Sequence, residues 1–104
     1  MSTASHDYII VGAGTAGCIV ANRLTASGAH KILLLEAGGA DSSPWVAVPA
    51  GISRLMANPA YLWPNPTTPT PEFGNRSIPL IQGKTLGGSS SINGMMYVRG
   101  QSQD

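Results

Sequence analysis

The chain has 104 residues, a net charge of +1 and a single cysteine, Cys18. That length allows one domain at most, and Lys and Arg scattered singly at near-neutral charge give no footprint for nucleic acid or a charged membrane surface. One cysteine excludes an internal disulfide and any multi-cysteine metal site.

Residues 1–6 read as a tail, and Met1 to Asp7 carries no paired cationic and apolar signal regions. No apolar run approaches the length of a membrane span. A soluble, reducing, cytoplasmic setting is therefore expected, with no metal bound.

From Asp7 to Glu36 the pattern is that of a strand–helix–strand unit. Tyr8-Ile9-Ile10-Val11 is β-branched and apolar, which suits a parallel strand covered on both faces. Gly12-Ala13-Gly14-Thr15-Ala16-Gly17 follows as a glycine turn. Gly12 permits the tight turn, Gly14 allows close approach of a pyrophosphate, and Gly17 lets a helix lie against the strand. The helix is expected to run to Ser27, with Val20, Ala21 and Leu24 on one face and Gly28 as its stop. Cys18 reads as a small packing residue within it. Lys31-Ile32-Leu33-Leu34-Leu35 is the second strand, and Glu36 ends it about 20 residues past the glycine turn, where a carboxylate can accept from ribose hydroxyls. The helix N-terminus aims free N–H groups and the positive dipole end at phosphates. A dinucleotide site is the better reading of this unit, against a βαβ unit that binds nothing.

Between residues 37 and 82 the composition turns to Gly, Ser and Pro. Ile52 to Ala57 reads as a short helical turn closed by Asn58-Pro59. Trp63-Pro64-Asn65-Pro66 has no regular period, and Ile78 to Gln82 reads as a short extended stretch. Tyr61, Leu62, Trp63 and Phe73 favour an ordered arm over a bound ligand, with Trp63 packed on it, rather than a disordered linker.

Residues 83–104 open with Gly83-Lys84-Thr85. A P-loop would need a glycine where Ile78 stands, so that reading fails. Gly87-Gly88 allows unusual φ and close backbone approach. Ser89 or Ser90 can cap a helix through about Met96, and Asn93 can both donate and accept. By composition alone, a ligand-contacting segment and a Gly/Ser loop without a role stand even.

Taken together, the glycine turn and the run Gly83-Lys84-x-Leu86-Gly87-Gly88-Ser89-Ser90-x-Ile92-Asn93, followed by Tyr97 and Gly100, resemble the N-terminal part of glucose–methanol–choline oxidoreductases, a flavoenzyme family. The second run discriminates, because the first motif is shared with many nucleotide-binding folds. The resemblance extends from about Tyr8 through the whole chain and covers only the start of a family member. It implies an α/β fold, a partial Rossmann-like FAD-binding unit with an extended cofactor lid, incomplete as it stands.

By position, the resemblance implies that Gly12, Gly14, Thr15, Ala16 and Gly17 contact the FAD pyrophosphate. Glu36 would meet the adenosine ribose, with Ala37 beside it. Trp63 and Leu86 would lie along the cofactor, and Gly88, Ser89, Asn93, Gly94, Met95 and Met96 would approach the flavin. Some members attach FAD through a histidine where this chain has Ile92, so noncovalent FAD is expected. Many carry Pro-Arg where this chain has Ile81-Gln82, which removes a possible charge contact.

The family's chemistry is alcohol oxidation by hydride transfer to flavin N5. Its base, a histidine paired with His or Asn, belongs to a C-terminal region with no counterpart here. His6 and His30 are expected in exposed loops, so no catalytic residue is assigned, and this chain by itself is expected to be inactive. Two other readings stand beside this one: an NAD-binding unit of a short redox or regulatory protein, and a non-catalytic truncated product.

Overall fold

A computed structural model describes residues 5–104, so the first four residues of the expected tail lie outside it. Strand β1 (Tyr8–Val11) pairs in parallel with β2 (Ile32–Leu35), and helix α1 (Thr15–Thr25) crosses between them. The register runs from Tyr8 opposite Ile32 to Val11 opposite Leu35. Parallel neighbours need such a crossover, and the glycine turn starts it.

Helix α1 ends at Thr25, short of Ser27, and Gly28 follows at φ +71° with its N–H donating to the Thr25 carbonyl. The chain thus stops the helix at the glycine by a left-handed turn. Gly17 meets its expected role: a Cβ there would stand 1.9 Å from the Gly12 carbonyl oxygen. Helix and turn approach at a distance only glycine allows.

Three expectations for this unit need correction. The strands form, but they are not covered on both faces: Ile9 is 62% and Val11 83% exposed. Val20 is also exposed, whereas Ala21 and Leu24 are half-buried. Cys18 is exposed rather than packed away, with its thiol 3.2 Å from the Ala13 carbonyl oxygen.

After β2 come a short helix α2 (Pro44–Ala47), a 3₁₀ turn at Pro49–Gly51, and α3 (Ile52–Met56), which matches the expected helical turn. Ser43 caps α2 by accepting from the Trp45 N–H. The small core gathers here: Leu55, Leu62 and Ile92 are buried, with Val46 and Tyr61 packed against them.

The proline-rich arm is ordered: the extended stretch expected from Ile78 to Gln82 forms a strand, and a second strand lies where the sequence pattern concealed it. Strand β3 (Leu62–Pro66) pairs antiparallel with β4 (Pro79–Gly83), Trp63 opposite Gln82. Bonds from the Lys84 N–H to Tyr61 and from the Thr67 N–H to Ile78 flank the ladder. Odd-numbered residues of β3 therefore face the partner backbone. Pro64, Pro66 and Pro79 fall at the alternate positions, where a missing N–H costs no ladder bond.

The expected helix from Ser89 to Met96 does not form. A 3₁₀ turn spans Gly88–Ser91, and the chain beyond it is irregular. The side chains compete with a helix for the backbone. Ser90 Oγ donates to the Gly87 carbonyl at 2.6 Å and Ser91 Oγ to the Leu86 carbonyl at 2.8 Å. Asn93 Oδ1 accepts from the Met95 N–H, and Met95 takes φ +58°.

Among the described residues no helix is long and apolar enough to cross a membrane, and no group of His, Cys, Asp and Glu is placed to hold a metal ion.

Candidate functional site

The two glycine segments meet. The Gly87 N–H donates to the Ala13 carbonyl at 2.7 Å, and Gly14 forms a parallel bridge with Gly87. Gly88, at φ +58°, lies against Gly14. Between these segments and the β3–β4 hairpin opens a cavity of about 730 Å³.

The N-terminal wall of that cavity is built by Gly12, Gly14, Thr15, Ala16 and Gly17. Gly12 turns at φ +96°, and a Cβ built there meets nothing within 4 Å. At Gly14 a Cβ would find only the Gly88 Cα, at 3.9 Å. Both glycines therefore leave room on the cavity side. Helix α1 starts here with Gly14 as N-cap, no side-chain cap and no acidic residue in its first turn. Its free N–H groups and positive dipole end favour an anion at this wall.

Glu36 and Ala37 line the cavity at the end of β2. Glu36 Oε2 accepts from the Ala13 N–H at 2.7 Å and Oε1 from the Gly38 N–H at 2.8 Å. The Gly38 amide, then that of Ala13, holds the carboxyl below the usual range; partial desolvation opposes them. Each carboxylate oxygen has a second lone pair, so the group can still accept from ligand hydroxyls. Glu36 is the one charged side chain lining the cavity among the described residues.

The opposite wall comes from the hairpin and the second glycine segment. Trp63 and Gln82, paired across the ladder, both line the cavity, as do Gly83, Gly88 and Ser89. Lys84 Nζ lies 4.7 Å from the Trp63 ring centroid, a cation–π contact that steadies the ring. Ser89 Oγ accepts from the Gly83 N–H at 3.0 Å. Gly83 is itself a close-approach position, where a Cβ would stand 2.4 Å from the Gly88 carbonyl.

Not every residue singled out from the sequence reaches this cavity. Leu86 is 42% exposed and outside it, with its N–H donating to the Gly39 carbonyl. Asn93 and Met95 line a separate space of about 40 Å³ beside Trp45 and Ile92. Gly94 lines neither space and is exposed, and Met96 is 91% exposed. Conversely, Val11, Leu35, Gln82 and Gly83 line the main cavity without having been assigned to cofactor binding. The first two are strand ends next to the glycine turn and Glu36, a placement the βαβ pattern already contained. Gln82 emerges only from the hidden register of β3 and β4. His6 and His30 are exposed and outside the cavity, with the His30 ring edge-on to Tyr8 at 5.2 Å.

Comparison with known proteins settles the family. The family model for GMC oxidoreductases matches residues 6–104. The chain belongs to the GMC oxidoreductase family. It is 53% identical over 100 residues to an oxygen-dependent choline dehydrogenase of Photobacterium profundum, covering 96% of this chain and 18% of that protein. Among solved structures, pyridoxine 4-oxidase from Mesorbium loti aligns at TM-score 0.85 and 32% identity, over 95% of this chain and 19% of the other. An FAD-dependent oxidoreductase from Chaetomium thermophilum aligns at TM-score 0.78 and 35% identity, over 92% and 16%. The chain thus spans under a fifth of the length of these GMC relatives.

Proposed function

We propose that this chain is the FAD-binding N-terminal portion of a GMC oxidoreductase that oxidises alcohols by hydride transfer to flavin N5. One observation carries the reading: two glycine segments, 69 positions apart between Gly14 and Gly83, converge with Glu36 and Trp63 on a single cavity. The relatives' names, a choline dehydrogenase and an FAD-dependent oxidoreductase among them, support the cofactor and the alcohol class.

In this reading the Gly14–Gly17 amides and the α1 dipole hold the pyrophosphate, and Glu36 accepts from the adenosine ribose hydroxyls. The lack of side chains at Gly12 and Gly14 leaves the space that the diphosphate needs. Trp63 packs along the cofactor, and Gly88 and Ser89 bound its other side. Bound noncovalently, FAD supplies the hydride acceptor. Leu86 remains assigned along the cofactor, and Asn93, Gly94, Met95 and Met96 toward the flavin end, to be reached by the part of the cofactor extending past the cavity. The chain contributes cofactor binding and no catalytic base, so alcohol turnover belongs to a full-length enzyme. A reducing, cytoplasmic setting goes with the lone thiol of Cys18.

The NAD-binding reading is not favoured, because the second glycine segment fits the flavoenzyme family. The test is a titration of the chain with FAD and, in parallel, with NADH. Flavin absorbance retained with the protein after gel filtration, and weaker NADH binding, are expected. Failure to retain FAD, or tighter binding of NADH, overturns the assignment.

A further inference from the structure

The hydrogen bonds around Glu36 close into a ring. From Oε2 the path runs through the Ala13 N–H, then from the Ala13 carbonyl to the Gly87 N–H at 2.7 Å. From Oε1 it runs through the Gly38 N–H to the neighbouring Gly39, whose carbonyl accepts from the Leu86 N–H at 3.0 Å and from Thr85 Oγ1 at 3.0 Å. Both arms end on residues 85–87, immediately before the Gly88–Ser89 wall of the cavity. Thr85 is fully buried, and its carbonyl accepts from the Gly88 N–H at 2.8 Å. At Gly38 a Cβ would stand 2.1 Å from the Lys84 carbonyl oxygen, so this junction tolerates little displacement.

A buried hydroxyl is kept in a small core only at the cost of desolvation, which its hydrogen bond offsets. Thr85 does not line the cavity and touches no ligand position. Its hydroxyl has a geometric consequence instead: it fastens the second glycine segment to the loop held by Glu36.

We propose that Thr85 and Glu36 are positioning residues that couple occupancy of the nucleotide end of the cavity to order in the Leu86–Ser89 wall. A ligand hydroxyl on Glu36 restrains the carboxylate, and the ring carries that restraint to residues 85–88. The inference rests on the dinucleotide reading of the cavity, in which Glu36 meets the ribose, and adds Thr85, which that reading does not use.

The test uses ADP, which carries the adenosine ribose and diphosphate but no flavin. Calorimetry gives its affinity for the whole chain, and amide hydrogen exchange follows Leu86, Gly87 and Gly88 against the Thr67 amide of the hairpin. In the native chain, saturating ADP is expected to slow exchange at Leu86–Gly88 by about tenfold more than at Thr67. Thr85→Val is expected to bind ADP within about threefold of native while losing that selective slowing, and Thr85→Ser to restore it. Should Thr85→Val fail to fold, Thr85→Ala carries the same exchange readout at saturating ADP, with loss of the slowing expected. ADP binding without selective slowing, or slowing that persists in Thr85→Val or Thr85→Ala, overturns the coupling alone. Absence of ADP binding to the native chain overturns the dinucleotide reading and the coupling together.

Discussion

Gly88 rests on Gly14: a Cβ built on Gly88 would stand 2.9 Å from the Gly14 Cα, and Gly88 already holds φ +58°. Two glycine segments far apart in sequence are thus in backbone contact at the rim of one cavity. Gly88→Ala meets both a left-handed backbone and this contact. The left-handed conformation alone costs about 1–2 kcal/mol. Urea unfolding is expected to show at least that loss, and FAD titration a weakening of about tenfold or more. Unchanged stability and affinity would contradict the close packing described here.

Gly14 and Gly17 separate ligand space from packing space. At Gly17 a Cβ would collide with the Gly12 carbonyl, so Gly17→Ala is expected to destabilise the chain by about 1–3 kcal/mol, read by denaturant unfolding. At Gly14 a Cβ meets only an ordinary 3.9 Å contact, so Gly14→Ala is expected to cost less than about 1 kcal/mol. Gly14→Val, by contrast, is expected to abolish FAD retention, because its branched side chain enters the space assigned to the pyrophosphate. Native-like FAD binding by Gly14→Val would remove the phosphate from this wall.

Glu36 gives the site an acid limit. Its folded carboxyl lies below the ordinary value of 4.5 because the Gly38 and Ala13 amides stabilise the charged form. A lowered folded value means stabilisation that is fully present above the unfolded value and lost as pH falls through the folded one. Stability and FAD affinity are therefore expected to hold above pH 4.5 and to decline together below it. In Glu36→Gln that acid step is expected to vanish. Thermal melts and FAD titrations across the acid range measure it, and an unaltered acid step in the variant would assign the titration elsewhere.

The strand–helix–strand unit was legible because its signals are local. Ile9 to Val11, the spaced glycines and Glu36 each declare a conformation within a few residues. In the arm, the helical turn at Ile52 and the extended stretch to Gln82 were legible. The strand at Leu62–Pro66 and its pairing were not, since Pro64 and Pro66 normally argue against strands. Their harmlessness depends on the pairing of β3 with β4, a long-range relation that no local pattern carries. For the same reason Gln82 and Gly83 escaped notice as cavity residues. The Ser89–Met96 helix failed because Ser90, Ser91 and Asn93 satisfy backbone groups themselves, a competition that helix capping statistics do not weigh. The bare faces of β1 and β2 follow from a parallel pair carrying one helix, as the coverage a parallel strand needs exceeds what α1 supplies.

Trp63 and Trp45 make an internal comparison for the hairpin's part in binding. They are similarly exposed, 39% and 44%, and each has a cation near its ring, Lys84 at 4.7 Å and Arg54 at 5.5 Å. Only Trp63 lines the large cavity. Stacking of an aromatic side chain on a base contributes about 1–3 kcal/mol in nucleic-acid complexes, and packing along a flavin dinucleotide draws on the same forces. Trp63→Ala is therefore expected to weaken FAD binding by about tenfold or more, with Trp63→Phe recovering most of the loss. Trp45→Ala removes an equally exposed ring from the same chain, and its FAD affinity is expected to stay within about twofold of native. The backbone pairing of Trp63 with Gln82 survives truncation of the side chain, so the comparison reads the ring and not the strand. Equal losses in the two alanine variants would mean that the hairpin supports the fold without touching the cofactor.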